Sequence, residues 1–91
     1  MNVVYDSEFL KKIKKVNVRI RKSVKERIDL FSNEPMNPQL DNHLLKREWE
    51  GYRSIDITAD YRAIYKEVQM AGETVAYFVA LGTHEELYSK N

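Results

Sequence analysis

The chain has 91 residues, 43% of them apolar and 32% charged, with a formal net charge of +1. One modest core fits that length and a second catalytic domain does not, so residues 1–91 are expected to form a single folded domain. No cysteine is present, which excludes a disulfide framework and any thiolate nucleophile or thiolate metal site.

Residues 2–5, Asn-Val-Val-Tyr, are short and β-branched and suit an opening strand. Asp6 or Ser7 then caps a helix whose apolar positions are Phe9, Ile13 and Val16, with Leu10 beside them. Lys11, Lys12, Lys14 and Lys15 form its wet face. A break near Asn17 is followed by a second helix over about 18 to 32, striped by Ile20, Val24, Ile28 and Phe31. Two such stripes need a sheet to cover, so both helices are expected on one face of it. Charge is unevenly spread here. Residues 1–27 hold nine Lys or Arg against three acids, while residues 28–91 hold six against eleven. The basic half reads either as a solvated helical face or as a docking surface for phosphate or for an acidic protein.

Pro35 and Pro38 open an irregular stretch to about 48, whose leucines Leu40, Leu44 and Leu45 are expected to pack on the body. β-Structure follows. Residues 52–57 place Ile55 and Ile57 on one side, with Ser54 and Asp56 on the other. A turn at Thr58–Asp60 leads to a strand over Tyr61–Val68, and Ala71-Gly72-Glu73 turns into a third, central strand over Thr74–Leu81. Gly82 is expected to release the chain into a short helix or turn at His84–Tyr88. The order is β-α-α-β-β-β with a short terminal helix or turn. The fold class is α+β, a small antiparallel-dominated mixed sheet with two N-terminal helices packed on one face.

No apolar run approaches the roughly 20 residues that cross a bilayer, and the N-terminus carries no secretory apolar segment. A soluble cytoplasmic protein is expected, with no membrane contacts. Walker, dinucleotide and nucleophile-elbow patterns are missing, and His43 and His84 stand outside any zinc-like spacing, so no metal or cofactor is expected. The polar groups at strand ends are His43, Arg53, Asp60, Arg62, His84 and Tyr88. Arg62 lies between two tyrosines in an apolar strand, so it either reaches water at an edge or faces a site. Arg53 reads equally as a salt bridge, Asp60 as a turn former, and Tyr88 as a cover for the end of the core.

The run Trp49-Glu50-Gly51-Tyr52-Arg53-Ser54-Ile55-Asp56-Ile57, then Asp60-Tyr61-Arg62-Ala63-Ile64-Tyr65, resembles the core of the RelE/ParE superfamily of toxin–antitoxin toxins. The ending Leu81-Gly82-Thr83-His84-Glu85-Glu86-Leu87-Tyr88 and the histidine ahead of a leucine pair, His43, extend the likeness. It is nearest to the YafQ-like and RelE-like mRNA interferases and spans almost the whole chain. The resemblance implies a toxin that cuts messenger RNA in the ribosomal A site. It also implies silencing by a cognate antitoxin, through which alone operator DNA is bound. It implies catalytic roles for His43, Arg62, His84 and Tyr88, with Arg53, Asp60, Lys46 and Arg47 supporting or contacting RNA. His84 is assigned as acid and His43 as base, with the reverse assignment open. Two positions depart from the YafQ-like pattern: Asp56 stands at a histidine position and Ala80 at an arginine position. The same fold also serves gyrase-directed toxins and degenerate members that act only in a repressor complex, which are the alternative readings.

Overall fold

The eleven-residue strand β5 (Glu73–Thr83) is the spine of the molecule in the computed structural model, which describes residues 1–88. On one side it pairs antiparallel with β4 (Tyr61–Met70), and on the other parallel with the opening strand β1 (Val3–Tyr5). β3 (Arg53–Asp56) continues antiparallel from β4, and a two-residue strand β2 (His43–Leu44) forms the far edge. The five-stranded order is β1-β5-β4-β3-β2. The β4–β5 hairpin closes through Ala71 and Gly72, both at positive φ (53° and 78°). That geometry twists with the strands and suits glycine far better than alanine.

Two helices precede the hairpins. Asp6 caps α1 (Ser7–Lys15), accepting from the Glu8 amide at 2.9 Å and from the Tyr77 hydroxyl at 2.6 Å. Asn17 caps α2 (Val18–Asn33), accepting from the Ile20 amide at 2.9 Å. Both helices cover one face of the sheet. Phe9 from α1 and Val24, Ile28 and Phe31 from α2 bury against Ile55, Ala63, Tyr65, Ala76 and Phe78. The aromatic centre is tight: the Phe31 ring lies 4.9 Å from Tyr65 and 5.4 Å from Phe78, edge-on to each. The α+β architecture, with two N-terminal helices on one face of a mainly antiparallel sheet, is the one expected.

Three details differ from the expectation. The stretch over 35–48 is not simply irregular, since it holds one-turn 3-10 helices at Pro38–Leu40 and Arg47–Trp49 as well as β2. A two-residue strand shows no alternation, so nothing in the pattern marks it. Of its leucines, Leu40 is fully buried while Leu44 is 58% exposed, because β2 is an edge strand. Gly82 does not release the chain; β5 runs through it to Thr83, and the helix α3 (His84–Tyr88) starts directly afterwards.

Candidate active site on the open face of the sheet

Sheet register decides which side chains meet. Residues directly opposite one another in an antiparallel ladder point to the same face. The pairings align His43, Ser54, Ile64 and Ala80 in one row, and Asp56, Arg62 and Gly82 in the next. These rows lie on the face away from α1 and α2. The row between them in sequence, Ile55, Ala63 and Leu81, and the row on the other side of the first, Leu44, Arg53, Tyr65 and Phe78, belong to the helix-covered face. A pocket of about 380 Å³ opens over the first two rows, lined by Asp41, His43, Leu45, Lys46, Ser54, Arg62, His84 and Tyr88.

α3 brings its own two side chains into that pocket through a reciprocal cap. The Thr83 amide donates to Glu86 Oε1 at 2.9 Å, and the Glu86 amide donates to Thr83 Oγ1 at 3.2 Å. This is a capping box, legible as the Thr-x-x-Glu spacing. The Lys12 ammonium, 3.2 Å from the same Oε1, ties α3 back to α1. The Thr83 amide first, then Lys12, hold the Glu86 carboxyl below its usual range. At the other end of α3, Trp49 Nε1 donates to the Leu87 carbonyl at 3.0 Å. Within this clamp the His84 and Tyr88 rings meet at one helical turn's separation, centroids 4.6 Å apart and planes inclined at 59°.

His43 is oriented by its own loop. Its Nδ1 lies 2.8 Å from the Asp41 carbonyl oxygen. A carbonyl only accepts, so this bond places the ring proton on Nδ1 and leaves Nε2 as the basic nitrogen. Arg62 is held still more firmly. Nη1 donates to the Thr58, Ala59 and Tyr61 carbonyls at 3.0, 3.1 and 3.2 Å, and Nε lies 3.0 Å from Asp56 Oδ1. The guanidinium therefore braces the β3–β4 turn while bordering the pocket. Asp56 Oδ1 is shielded from solvent and has no hydrogen bond in line despite that close nitrogen. Its burial raises the Asp56 carboxyl above the usual aspartate value, and the Arg62 charge offsets part of the rise.

The remaining expected site residues divide. Lys46 lines the pocket with His43, Arg62, His84 and Tyr88. Arg53 points to the opposite face, where Nε donates to Asn42 Oδ1 at 2.7 Å; Asn42 in turn donates to the Tyr65 hydroxyl at 2.8 Å. Asp60 borders a separate hollow on the outer side of His84, whose amide donates to the Asp60 carbonyl at 3.3 Å. Arg47 is exposed, with a left-handed φ of 60°, and lies outside the pocket lining. Three lining residues are not among the sequence candidates: Asp41, Leu45 and Ser54, the last fully buried beneath the pocket with an Oγ that has no hydrogen-bond partner among the described residues. The available signal for Ser54 is its alternation with Asp56. Among the described residues no group of three His, Asp or Glu side chains is placed to hold a metal ion, and no helix is long and apolar enough to cross a membrane.

Residues 1–89 match the family model of YafQ, described as a bacterial toxin of type II toxin–antitoxin systems. The chain belongs to the YafQ toxin family. Among solved structures it is similar to YafQ from E. coli strain BL21(DE3), with 25% identity and a TM-score of 0.77 over 97% of this chain and 98% of that one. YafQ in the E. coli DinJ–YafQ toxin–antitoxin complex matches at 24% identity and a TM-score of 0.74, covering 97% of each chain. The RelBE2 toxin–antitoxin complex of Mycobacterium tuberculosis shares the fold at 21% identity and a TM-score of 0.71, over 91% of this chain and 96% of that one. No curated protein matches the sequence. Asp56 and Ala80, the two positions expected to depart from the YafQ-like pattern, both fall on the open face in rows shared with pocket residues, and neither lines the pocket itself.

Proposed function

We propose that this YafQ-family toxin is a ribosome-dependent endoribonuclease that cleaves messenger RNA in the A site, and that a cognate antitoxin holds it silent. The observation that carries the reading is the convergence of His43, Lys46, Arg62, His84 and Tyr88 on one open pocket. These groups supply each requirement of transesterification at a ribose phosphate. His43 Nε2 takes the proton of the 2′-hydroxyl, a nucleophile that RNA has and DNA lacks. The 2′-oxygen attacks phosphorus, the P–O5′ bond breaks, and His84 gives a proton to the departing 5′-oxygen. The products are a 2′,3′-cyclic phosphate and a 5′-hydroxyl. Arg62 and Lys46 offer positive charge as it gathers on the phosphoryl oxygens. Tyr88, packed at a tilt against His84, offers a ring face to a base. The pocket is small, about 380 Å³, so position on the mRNA is left to the ribosome, and cleavage of free RNA is expected to be negligible.

The antitoxin partner follows by likeness to the DinJ–YafQ and RelBE2 complexes. The deciding experiment adds the protein to a purified translation system and maps mRNA 5′ ends by primer extension. Cuts at A-site codons that vanish with His84→Ala and Arg62→Ala, both still folded, support the reading. Growth arrest in cells without cuts would favour a non-catalytic toxin of this fold acting on gyrase. Neither cuts nor arrest would leave a degenerate toxin working in a repressor complex.

A further inference from the structure

The open face of the sheet continues past the pocket. Beyond the row of Ser54, Ile64 and Ala80, the next row on that face aligns Lys66 of β4 with Tyr77 of β5 and Val4 of β1. Four residues of β4 separate Lys66 from Arg62, about 13 Å at roughly 3.3 Å per residue. Lys66 Nζ lies 5.4 Å from the centre of the Tyr52 ring, within cation–π range, and no acid of the described residues pairs with it. Trp49 meets Tyr52 edge-on, centroids 5.4 Å apart, and its indole nitrogen is fixed to the Leu87 carbonyl, next in the chain to Tyr88. The Tyr77 hydroxyl is committed to Asp6, so its ring is what it offers. Aromatic and cationic groups therefore lead from Tyr88 in the pocket through Trp49, Tyr52 and Lys66 to Tyr77, and the last four are partly exposed. The tract ends in a hollow of about 460 Å³ walled by Val4, Lys66, Val68, Gln69, Met70 and Tyr77. Past it the Glu73 carboxylate, which accepts from the Asn2 side-chain amide, turns the face acidic.

We infer that this tract binds single-stranded RNA, namely the part of the message next to the scissile phosphate. The inference rests on the pocket being an RNA site and gives that site a second region of contact. Continuity is the first argument. A strand whose phosphate lies against Arg62 and Lys46 has Trp49, Tyr52 and Lys66 as its next neighbours on the same face. Chemistry is the second. Every base has a π-face for a ring to meet, and the backbone between bases carries the phosphate that an ammonium without an acidic partner attracts. A strand face bearing aromatic side chains is a platform for splayed bases. The third is the shape of the apolar surface. Val4, Val68 and Met70 gather at the far end alone, where they and Tyr77 enclose a single base. A protein helix would need an apolar stripe running the length of the tract, and the middle of this one is Lys66 between two tyrosines.

The test titrates the full chain at low salt with a single-stranded RNA of about ten nucleotides, a length within the range such surfaces cover. All its nucleotides are 2′-O-methylated, so the attacking hydroxyl is absent and the strand stays whole. NMR follows His43 and His84 in the pocket and Tyr52, Lys66 and Tyr77 in the tract. Controls are a dinucleotide of the same chemistry and a glutamate-rich peptide. The longer strand is expected to move both sets of residues, the dinucleotide the pocket set only, and the peptide neither. Lys66→Met keeps the stem that lies over the sheet and removes the charge, so it should lower the log–log salt slope of binding by about one. Tyr52→Leu should weaken binding about fivefold or more through lost stacking. In the translation assay Lys66→Met should raise the toxin concentration that gives half-maximal cleavage and leave the saturated rate alone, the pattern of lost uniform binding. Shifts confined to His43 and His84 would overturn the inference and leave the pocket reading standing, while no shifts at all would overturn both. Binding and salt slope unchanged in both variants would also overturn it. Movement of Tyr52, Lys66 and Tyr77 by the glutamate-rich peptide would assign the tract to an acidic protein instead.

Discussion

A side-chain carbon at Gly82 would stand 2.8 Å from Oε1 of Glu86 and 3.3 Å from its Cβ. The glycine is therefore what allows the glutamate to fold back over the end of β5, accept from the Thr83 amide, and start α3 on its first residue, His84. The placement of His84 in the pocket is thus set by two residues that do not line it.

Gly82→Ala and Glu86→Ala are expected to damage the same thing by different routes. Loss of the cap costs about 1 kcal/mol, enough to fray a five-residue helix without unfolding the sheet. Cleavage in the translation assay should fall about tenfold or more in each, since small misplacement of a catalytic group is costly. The double variant should be little worse than either single one, because both remove one interaction. Additive losses would show that Gly82 acts through something other than Glu86.

Two sets of carboxylates give the stability profile opposite slopes. Glu86, through the Thr83 amide and Lys12, and Asp6, through Tyr77 and the Glu8 amide, bind protons less readily folded than unfolded. Their contribution is complete above the usual carboxylate values, near 4, and is lost as pH falls through their lowered values. Asp56 is raised by burial, so its contribution is complete below the usual aspartate value and is lost as pH rises through the raised one. Urea midpoints measured between about pH 3 and pH 7 should fall less steeply on the acid side in Glu86→Gln. In Asp56→Asn, which keeps an oxygen beside Arg62, the decline on rising through weakly acidic pH should disappear.

Lys46 and Arg53 carry the same charge and should behave differently. Lys46 lines the pocket, whereas Arg53 donates to Asn42 on the helix-covered side and so holds the loop that carries His43. Removing a phosphate contact lowers the salt dependence of RNA binding by about one in log–log slope. Lys46→Ala should show that loss with an unchanged melting temperature. Arg53→Ala should keep the slope and lose roughly 1–3 kcal/mol of stability, the range for a charged hydrogen bond left broken. A lowered slope in Arg53→Ala would return it to the RNA contacts.

The contrast between these two cations also shows what the sequence discloses. Alternation from Ser54 and Asp56 already places Arg53 on the side of Ile55, away from the pocket, so its position was legible by parity alone. The helices were legible for the same reason: Phe9, Val24, Ile28 and Phe31 recur at helical spacing and all four are buried. What was not legible is contact between elements distant in the chain. β2 pairs through two residues, Ser54 is fully buried beneath the pocket, and Arg62 is engaged by three carbonyls of the β3–β4 connection. Periodicity describes an element's face and says nothing of the register between elements.

The hairpin turn at Ala71-Gly72 is a place where the sequence falls short of its own backbone. Ala71 holds φ at 53°, a conformation that costs an L-residue with a Cβ about 1 kcal/mol or more. Ala71→Asn creates the Asn-Gly pair preferred in such turns and should raise stability by about 0.5–1 kcal/mol. Cleavage should not change, since the turn lies at the far end of β4 and β5 from α3. Thermal unfolding with the translation assay alongside reads both.

His43 and His84 can be assigned by chemistry at the leaving group. Because His43 Nδ1 donates to the Asp41 carbonyl, its Nε2 is the nitrogen free to accept the 2′ proton. His43→Asn keeps a donor near the Nδ1 position and discards the base, so it should fold normally and lose about 10²–10⁴-fold in cleavage. His84→Ala should lose a comparable factor on ordinary mRNA. The two separate on a message whose scissile linkage has sulfur in place of the bridging 5′-oxygen, because a thiolate departs without being protonated. His84→Ala should recover most of its rate on that substrate, and His43→Asn should recover none. Recovery by His43→Asn instead would exchange the two roles. Recovery by neither would mean that His84 orients Tyr88 or the phosphate and that the departing proton comes from the ribosome.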